Sequence, residues 1–127
     1  MVDFKNGFSG FSVRDIDEAK RFYGETLGLP AELNDMGILS ITLPGGASVI
    51  AYPKDDHVPA VFTILNFEVD DISSAVAALA DAGIPMERYE GMPQDDQGIM
   101  RGRSVNRGPD IAWFLDPSGN ILSFLEN

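Results

Sequence analysis

The sequence predicts an α+β fold of two tandem units, each running strand, helix and then three strands. Three observations carry that expectation. Two aspartates each open a segment whose apolar residues recur at helical spacing, the residues around those segments repeat at a nearly constant offset, and the ends of the two halves repeat as strand, Pro/Gly turn, strand. Neither helix alone can cover a sheet large enough for its own core, so the halves are expected to pack as a single domain over 1–127, with repeats over 5–53 and 60–127 and a linker at 54–59.

Residues 7–13 alternate loosely and predict the first strand. Asp15 then opens a run with Ile16, Ala19, Phe22, Tyr23 and Leu27 on one helical face. Asp15 is a good N-cap, Glu18 three residues on makes a capping-box variant, and Gly28 with Pro30 supplies the stop, so a helix is predicted over 16–27. Residues 38–52 read as strand, turn at Pro44-Gly45-Gly46, strand. In the second half Asp71 opens a helix carrying Ile72, Ala75, Ala78, Leu79 and Ala82, which ends at Gly83-Ile84-Pro85.

Val13, Asp15, Ile16 and Ala19 match Val69, Asp71, Ile72 and Ala75 at an offset of 56. Ile38, Pro44, Gly46 and Val49 match Ile111, Pro117, Gly119 and Leu122 at 73, so 111–125 repeats the strand, turn, strand of 38–52. The difference between the offsets falls in 91–109, a connection rich in Gly, Asp and Arg that is too long for a hairpin turn and reads as a lid, a binding loop or a mobile excursion.

Composition narrows the function classes. The 127 residues contain no Cys, which removes thiolate nucleophiles, disulfides, iron–sulfur clusters and sulfur-dependent zinc sites. Twenty acidic residues against nine scattered basic ones give a net charge of −11, which opposes nucleic-acid binding and keeps the protein soluble. Apolar stretches stop well short of the roughly 18 residues of a membrane span. No secretory signal is visible, so neither nucleic acid nor membrane is expected as a partner, and cytoplasmic residence is the default.

With Val13-x-Asp15 and Val69-x-Asp71 before the helices, Phe22-Tyr23 within the first, Leu27-Gly28-Leu29 after it and Asp116-Pro117-x-Gly119-Asn120 before the last strand, the chain resembles the vicinal oxygen chelate superfamily. This is the group of glyoxalase I, extradiol dioxygenases, fosfomycin-resistance enzymes and bleomycin-resistance proteins. The resemblance implies curved mixed sheets, one per unit, enclosing a cleft that a homodimer often completes. It also implies a divalent metal on side chains of the first and last strands of the units, commonly His, His and Glu with a fourth Glu, Gln or His. The corresponding positions here are Phe8 and Ile64, seven residues before each capping Asp, then Ser123 and Ile50, or Ala51 if the register slips by one. None offers an imidazole or carboxylate. No metal or cofactor is therefore expected, and the resemblance narrows to the bleomycin-resistance branch. The single histidine, His57, falls in the linker and reads as solvent-exposed, and the acidic clusters at Asp55-Asp56, Asp70-Asp71 and Asp95-Asp96 read as solvating or capping groups.

Strand parity separates a core face from a second face. Phe11, Val13, Leu39, Ile41, Leu43, Leu65, Phe67, Val69, Leu122 and Phe124 are apolar enough to lie under the helices. The opposite parity is mixed aromatic, aliphatic and polar, which suits a small-molecule cleft or, alternatively, a half-exposed sheet surface or dimer contact. It supplies the candidate ligand-binding residues Phe8, Tyr52, Phe62, Asn66, Glu68, Trp113 and Ser123. Trp113 reads as an aromatic wall or a core residue, and Glu68 as a grip for a cation, a general base or a solvated strand end. Arg101 and Arg103 join the candidates as groups covering the cleft or binding a carboxylate, against the plainer reading of solvated loop arginines. No Ser has a nearby His to activate it, no nucleotide-binding glycine loop appears, and no catalytic residue is assigned.

These features favour a metal-free protein that sequesters a small molecule, a drug or a metabolite, as a homodimer. The alternative is a lyase, isomerase or dioxygenase of the same superfamily with an atypical site, using metal in another geometry or Glu68 with Tyr52. A third reading is an interaction subunit whose cleft is vestigial.

Overall fold

Asp15 and Asp71 set both helices, and each does so as the sequence predicts. In the computed structural model, which describes residues 1–127, Asp15 is extended and its side chain accepts from the N–H groups of Asp17 and Glu18 at 2.9 and 3.0 Å. Asp71 accepts from Ser74 N at 3.2 Å. Each thereby satisfies N–H groups that a helix start leaves without partners.

The chain divides into two compact units, Met1–Pro59 and Ala60–Asn127. The first contains β1 (Ser9–Val13), α1 (Ile16–Lys20), a π-helical segment (Arg21–Thr26), β2 (Ala31–Leu33), β3 (Leu39–Thr42) and β4 (Ser48–Pro53). Its sheet runs β1-β4-β3-β2, with β1 parallel to β4 and the other pairs antiparallel. The second contains β5 (Thr63–Glu68), α2 (Ile72–Asp81), β6 (Met100–Arg101), a 3-10 turn (Arg103–Val105), β7 (Asp110–Leu115) and β8 (Ile121–Glu126), with sheet order β5-β8-β7-β6.

The helical region over 16–27 is α-helical only as far as Lys20, after which it widens, with Leu27 N donating to Phe22 O at 2.9 Å. A wider turn rotates successive residues less, so the adjacent Phe22 and Tyr23 both reach the core and meet edge to face at 5.1 Å. In α2 the inward residues are Ile72, Val76 and Leu79, whereas Ala78 and Ala82 are exposed. The helix is thus rotated away from the predicted alanine face, because larger side chains gain more from burial.

The core of the first unit gathers Val13, Ala19, Phe22, Tyr23, Leu39, Ile41, Val49 and Ala51. That of the second gathers Leu65, Phe67, Ile72, Val76, Leu79, Ile99, Ala112, Phe114, Leu122 and Phe124. The Asp116 motif is a built turn: Oδ1 accepts from Ser118 N at 2.8 Å and Asn120 N at 2.9 Å, while Oδ2 accepts from Asn120 Nδ2 at 3.0 Å. It turns β7 back against β8 in antiparallel register.

The 91–109 connection is fastened to the edge of the second sheet rather than being an open excursion. Asp95 Oδ1 accepts from Gln97 N and Ile99 N, Ile99 is fully buried, and Met100–Arg101 pairs with Asp110 and Ile111 as β6. No helix is long and apolar enough to cross a membrane.

Candidate functional site

Across the second sheet, Asn66 on β5, Ser123 on β8 and Trp113 on β7 stand in one register row. Their neighbours Leu65, Phe67, Leu122, Phe124, Ala112 and Phe114 are buried on the α2 side, so alternation puts the row on the face away from the helix. Ser123 is fully buried and its hydroxyl donates to Asn66 Oδ1 at 2.6 Å. That bond fixes the amide's orientation and leaves its Nδ2 hydrogens as donors. Trp113 is half-buried and meets Tyr89 edge to face at 5.6 Å, and burial followed by the charge of Glu87 raises the Tyr89 pKa. Glu68 lies two residues beyond Asn66, beside Leu125, exposed and accepting from Asn127 Nδ2 at 3.0 Å.

The equivalent row in the first sheet is Gly10, Ile50 and Ser40, which the offsets of 56 and 73 map onto Asn66, Ser123 and Trp113. The same fold position carries an amide, a hydroxyl and an indole in one unit and almost no polar or aromatic surface in the other. Tyr52, paired with Ser12, stands next in register on this face and is partly exposed.

Phe62 leaves the candidate face. The register between β5 and β8 shifts between Thr63 and Leu65, so Thr63 stands beside Ile121 and alternation counted back from Asn66 does not pass through Ile64 to Phe62. Phe62 precedes the strand and is 66% exposed. Phe8 likewise precedes β1 and is 68% exposed.

Arg101 and Arg103 also fall outside the row, and neither is a free loop arginine. Arg101 lies beside Asp110 on the α2 side and donates to Asp95 Oδ2 at 2.9 Å, Asp110 Oδ2 at 3.2 Å and Ser73 Oγ at 2.9 Å. Arg103 pairs with Glu126, whose other oxygen accepts from Ile72 N at the start of α2. For Asp95, burial opposes the charge, but the N–H groups of Ile99 and Gln97 and the Arg101 guanidinium outweigh it and hold the carboxyl below its usual range. These groups join the edge strand to the helix.

His57 departs from the expectation of an exposed linker residue with no serine nearby. It is half-buried, and its Nδ1 lies 2.6 Å from Ser12 Oγ. Sequence spacing hides the pair because a turn after β4 returns His57 to β1.

The positions corresponding to the metal ligands of the resembling family do not suit a metal. Phe8 is exposed ahead of its strand, Ile64 sits at the register shift, Ile50 is aliphatic, Ala51 is core, and the Ser123 hydroxyl is committed to Asn66. No three His, Cys, Asp or Glu side chains stand close enough together to hold a metal ion.

The family model described as the Glyoxalase/Bleomycin resistance protein/Dioxygenase superfamily matches residues 8–124. Among solved structures, a glyoxalase family protein from Bacillus anthracis is similar at 21% identity and a TM-score of 0.67, over 100% of this chain and 99% of that one. The genomically encoded fosfomycin resistance protein FosX from Listeria monocytogenes is similar at 10% identity and a TM-score of 0.70, over 99% and 95%. A glyoxalase/dioxygenase from Nostoc punctiforme gives 15% identity and 0.66, over 100% and 99%. At these identities the likeness is one of fold. No curated protein is significantly similar in sequence.

Proposed function

We propose, from the premise that this chain belongs to the Glyoxalase/Bleomycin resistance protein/Dioxygenase superfamily, that it binds a small, partly aromatic, neutral or cationic molecule and works without a metal at the family's ligand positions. The row of Asn66, Ser123 and Trp113 carries this reading. It combines an oriented amide with the chain's only indole, and Glu68 supplies a carboxylate at the same face. An indole face holds a planar or cationic group by stacking worth roughly 0.5 to 2 kcal/mol. The donor set at the ligand positions supports the metal-independent part. The net charge of −11 favours encounter with cations more than it selects among them. A homodimer is part of the proposal, and a dimer mass by light scattering at tens of micromolar is its check.

The test is titration calorimetry with a panel of cationic aromatic compounds, bleomycin included, and with fosfomycin as an anionic comparator, on wild type, Trp113→Ala and Glu68→Gln. Binding of a cationic or neutral aromatic compound that weakens in both variants supports the assignment. Binding of the anionic compound alone, or variants that bind as wild type does, overturns it. Metal analysis of protein purified without chelator or a nickel column decides the alternative: about one equivalent of Fe, Mn, Ni or Zn places the chain with the lyases, isomerases or dioxygenases of the superfamily.

A further inference from the structure

We propose that Ser12 and His57, both on the first unit, form a nucleophile and base pair that accepts an acyl group from an activated ester. Ser12 Oγ and His57 Nδ1 lie 2.6 Å apart, within hydrogen-bond reach, and with the proton of the neutral ring on Nε2 the hydroxyl is the donor. The contact is made by the fold, since 45 residues separate the two. Val13 on one side of Ser12 is core, and Phe11 on the other meets Tyr23 of the helical segment at 5.7 Å, so Ser12 takes the opposite face of β1. After β4, Lys54 N donates to Val13 O and His57 N to Lys54 O, both at 3.0 Å, which fastens the turn to the end of β1 and returns the ring to Ser12.

Both residues are half-buried, so the pair is held in place and partly open to a reactant. His57 thus places a ring nitrogen within reach of the Ser12 proton. The Tyr52 phenol belongs to the register partner of Ser12. This is the arrangement that activates a serine hydroxyl, a weak nucleophile on its own.

The reaction is acyl transfer without redox change. The bond from Ser12 Oγ to the ester carbonyl carbon forms as the bond from that carbon to the leaving oxygen breaks. The Ser12 proton passes to Nδ1 and then to the departing oxygen, which gives acyl-serine and a free alcohol or phenol. Water that loses a proton to the same imidazole then releases the carboxylic acid and restores Ser12.

The probe is p-nitrophenyl acetate, with acid quenching, intact mass and peptide mapping of wild type, Ser12→Ala and His57→Gln. Glutamine keeps an acceptor for the Ser12 hydroxyl, so a merely structural bond survives while proton acceptance is lost. The expected result is acetyl on Ser12 in wild type, none at position 12 in Ser12→Ala, and formation at least tenfold slower in His57→Gln. Acetylation of surface lysines without acetyl-Ser12 in wild type overturns the proposal whatever the variants do, and so does acetyl-Ser12 forming equally fast in folded His57→Gln.

Discussion

Ser123 on β8 donates its hydroxyl to Asn66 Oδ1 on β5 at 2.6 Å, and this cross-strand bond decides which end of the amide faces outward. Ser123 is fully buried whereas Asn66 is exposed, so removing the hydroxyl leaves an acceptor that water can reach. Ser123→Ala is therefore expected to lower stability by only about 1 kcal/mol. The check is the urea midpoint at unchanged slope. A loss well above that figure would show that Ser123 holds more than the amide.

Trp113 and Tyr89 meet edge to face at 5.6 Å, and Tyr89 belongs to the connection leading to β6 rather than to the sheet. Their coupling in a double-mutant cycle of Trp113→Leu and Tyr89→Leu is expected to be about 0.5–1.5 kcal/mol. Because Trp113 is the chain's single tryptophan, Tyr89→Leu is also expected to shift its fluorescence emission without unfolding the protein. An unchanged spectrum would mean that the rings are apart in solution.

Asp95 gives a pH dependence with a definite sign. Its folded pKa lies below the ordinary value, so the unfolded chain takes up this proton first as acid is added. The stabilisation is fully present above the unfolded value of about 4 and is lost as pH falls through the folded value. Asn at this position keeps a side-chain oxygen for Ile99 N and Gln97 N but loses the ion pair to Arg101. Melting temperatures between pH 7 and 2 are expected to show Asp95→Asn below wild type at neutral pH and converging with it below about pH 4. Parallel curves would remove Asp95 from the account of acid stability.

The repeat made most of the fold legible. Offsets of 56 and 73 place Gly10, Ile50 and Ser40 in one row and Asn66, Ser123 and Trp113 in its counterpart, because sheet register follows matching turns and matching caps. What parity alone could not anticipate was the register shift at Ile64, since an irregularity in pairing belongs to the partner strand as much as to the strand itself. The third strand expected after each helix exists as the short edge strands β2 and β6, but its position was not legible, because three or two residues are too few to display a period. Ser12 with His57, and Arg101 with Asp95, Asp110 and Ser73, are contacts that loops create between distant residues. The sequence offers a carboxylate partner for Arg101 as one reading and a solvated side chain as another, and it names neither the partners nor the serine beside His57.

Gly102 supplies a steric test of how tightly the 91–109 connection closes. A Cβ on Gly102 would stand 2.5 Å from Pro109 O and 3.0 Å from Gly108 O, both backbone atoms, while its own φ of −73° is ordinary for any residue. Arg107 N donates to Gly102 O at 2.8 Å, and Arg103 N just after it donates to Asp110 Oδ1 at 3.0 Å, so the loop cannot open without losing bonds on both sides. Gly102→Ala is therefore expected to cost about 1–3 kcal/mol by overpacking. Gly7→Ala, with nothing within 4 Å of the added carbon, serves as the neutral comparison. Hydrogen exchange of the Arg103 and Arg107 amides should accelerate in Gly102→Ala, and a variant as stable and as protected as wild type would mean that the two carbonyls do not converge on Gly102 as described.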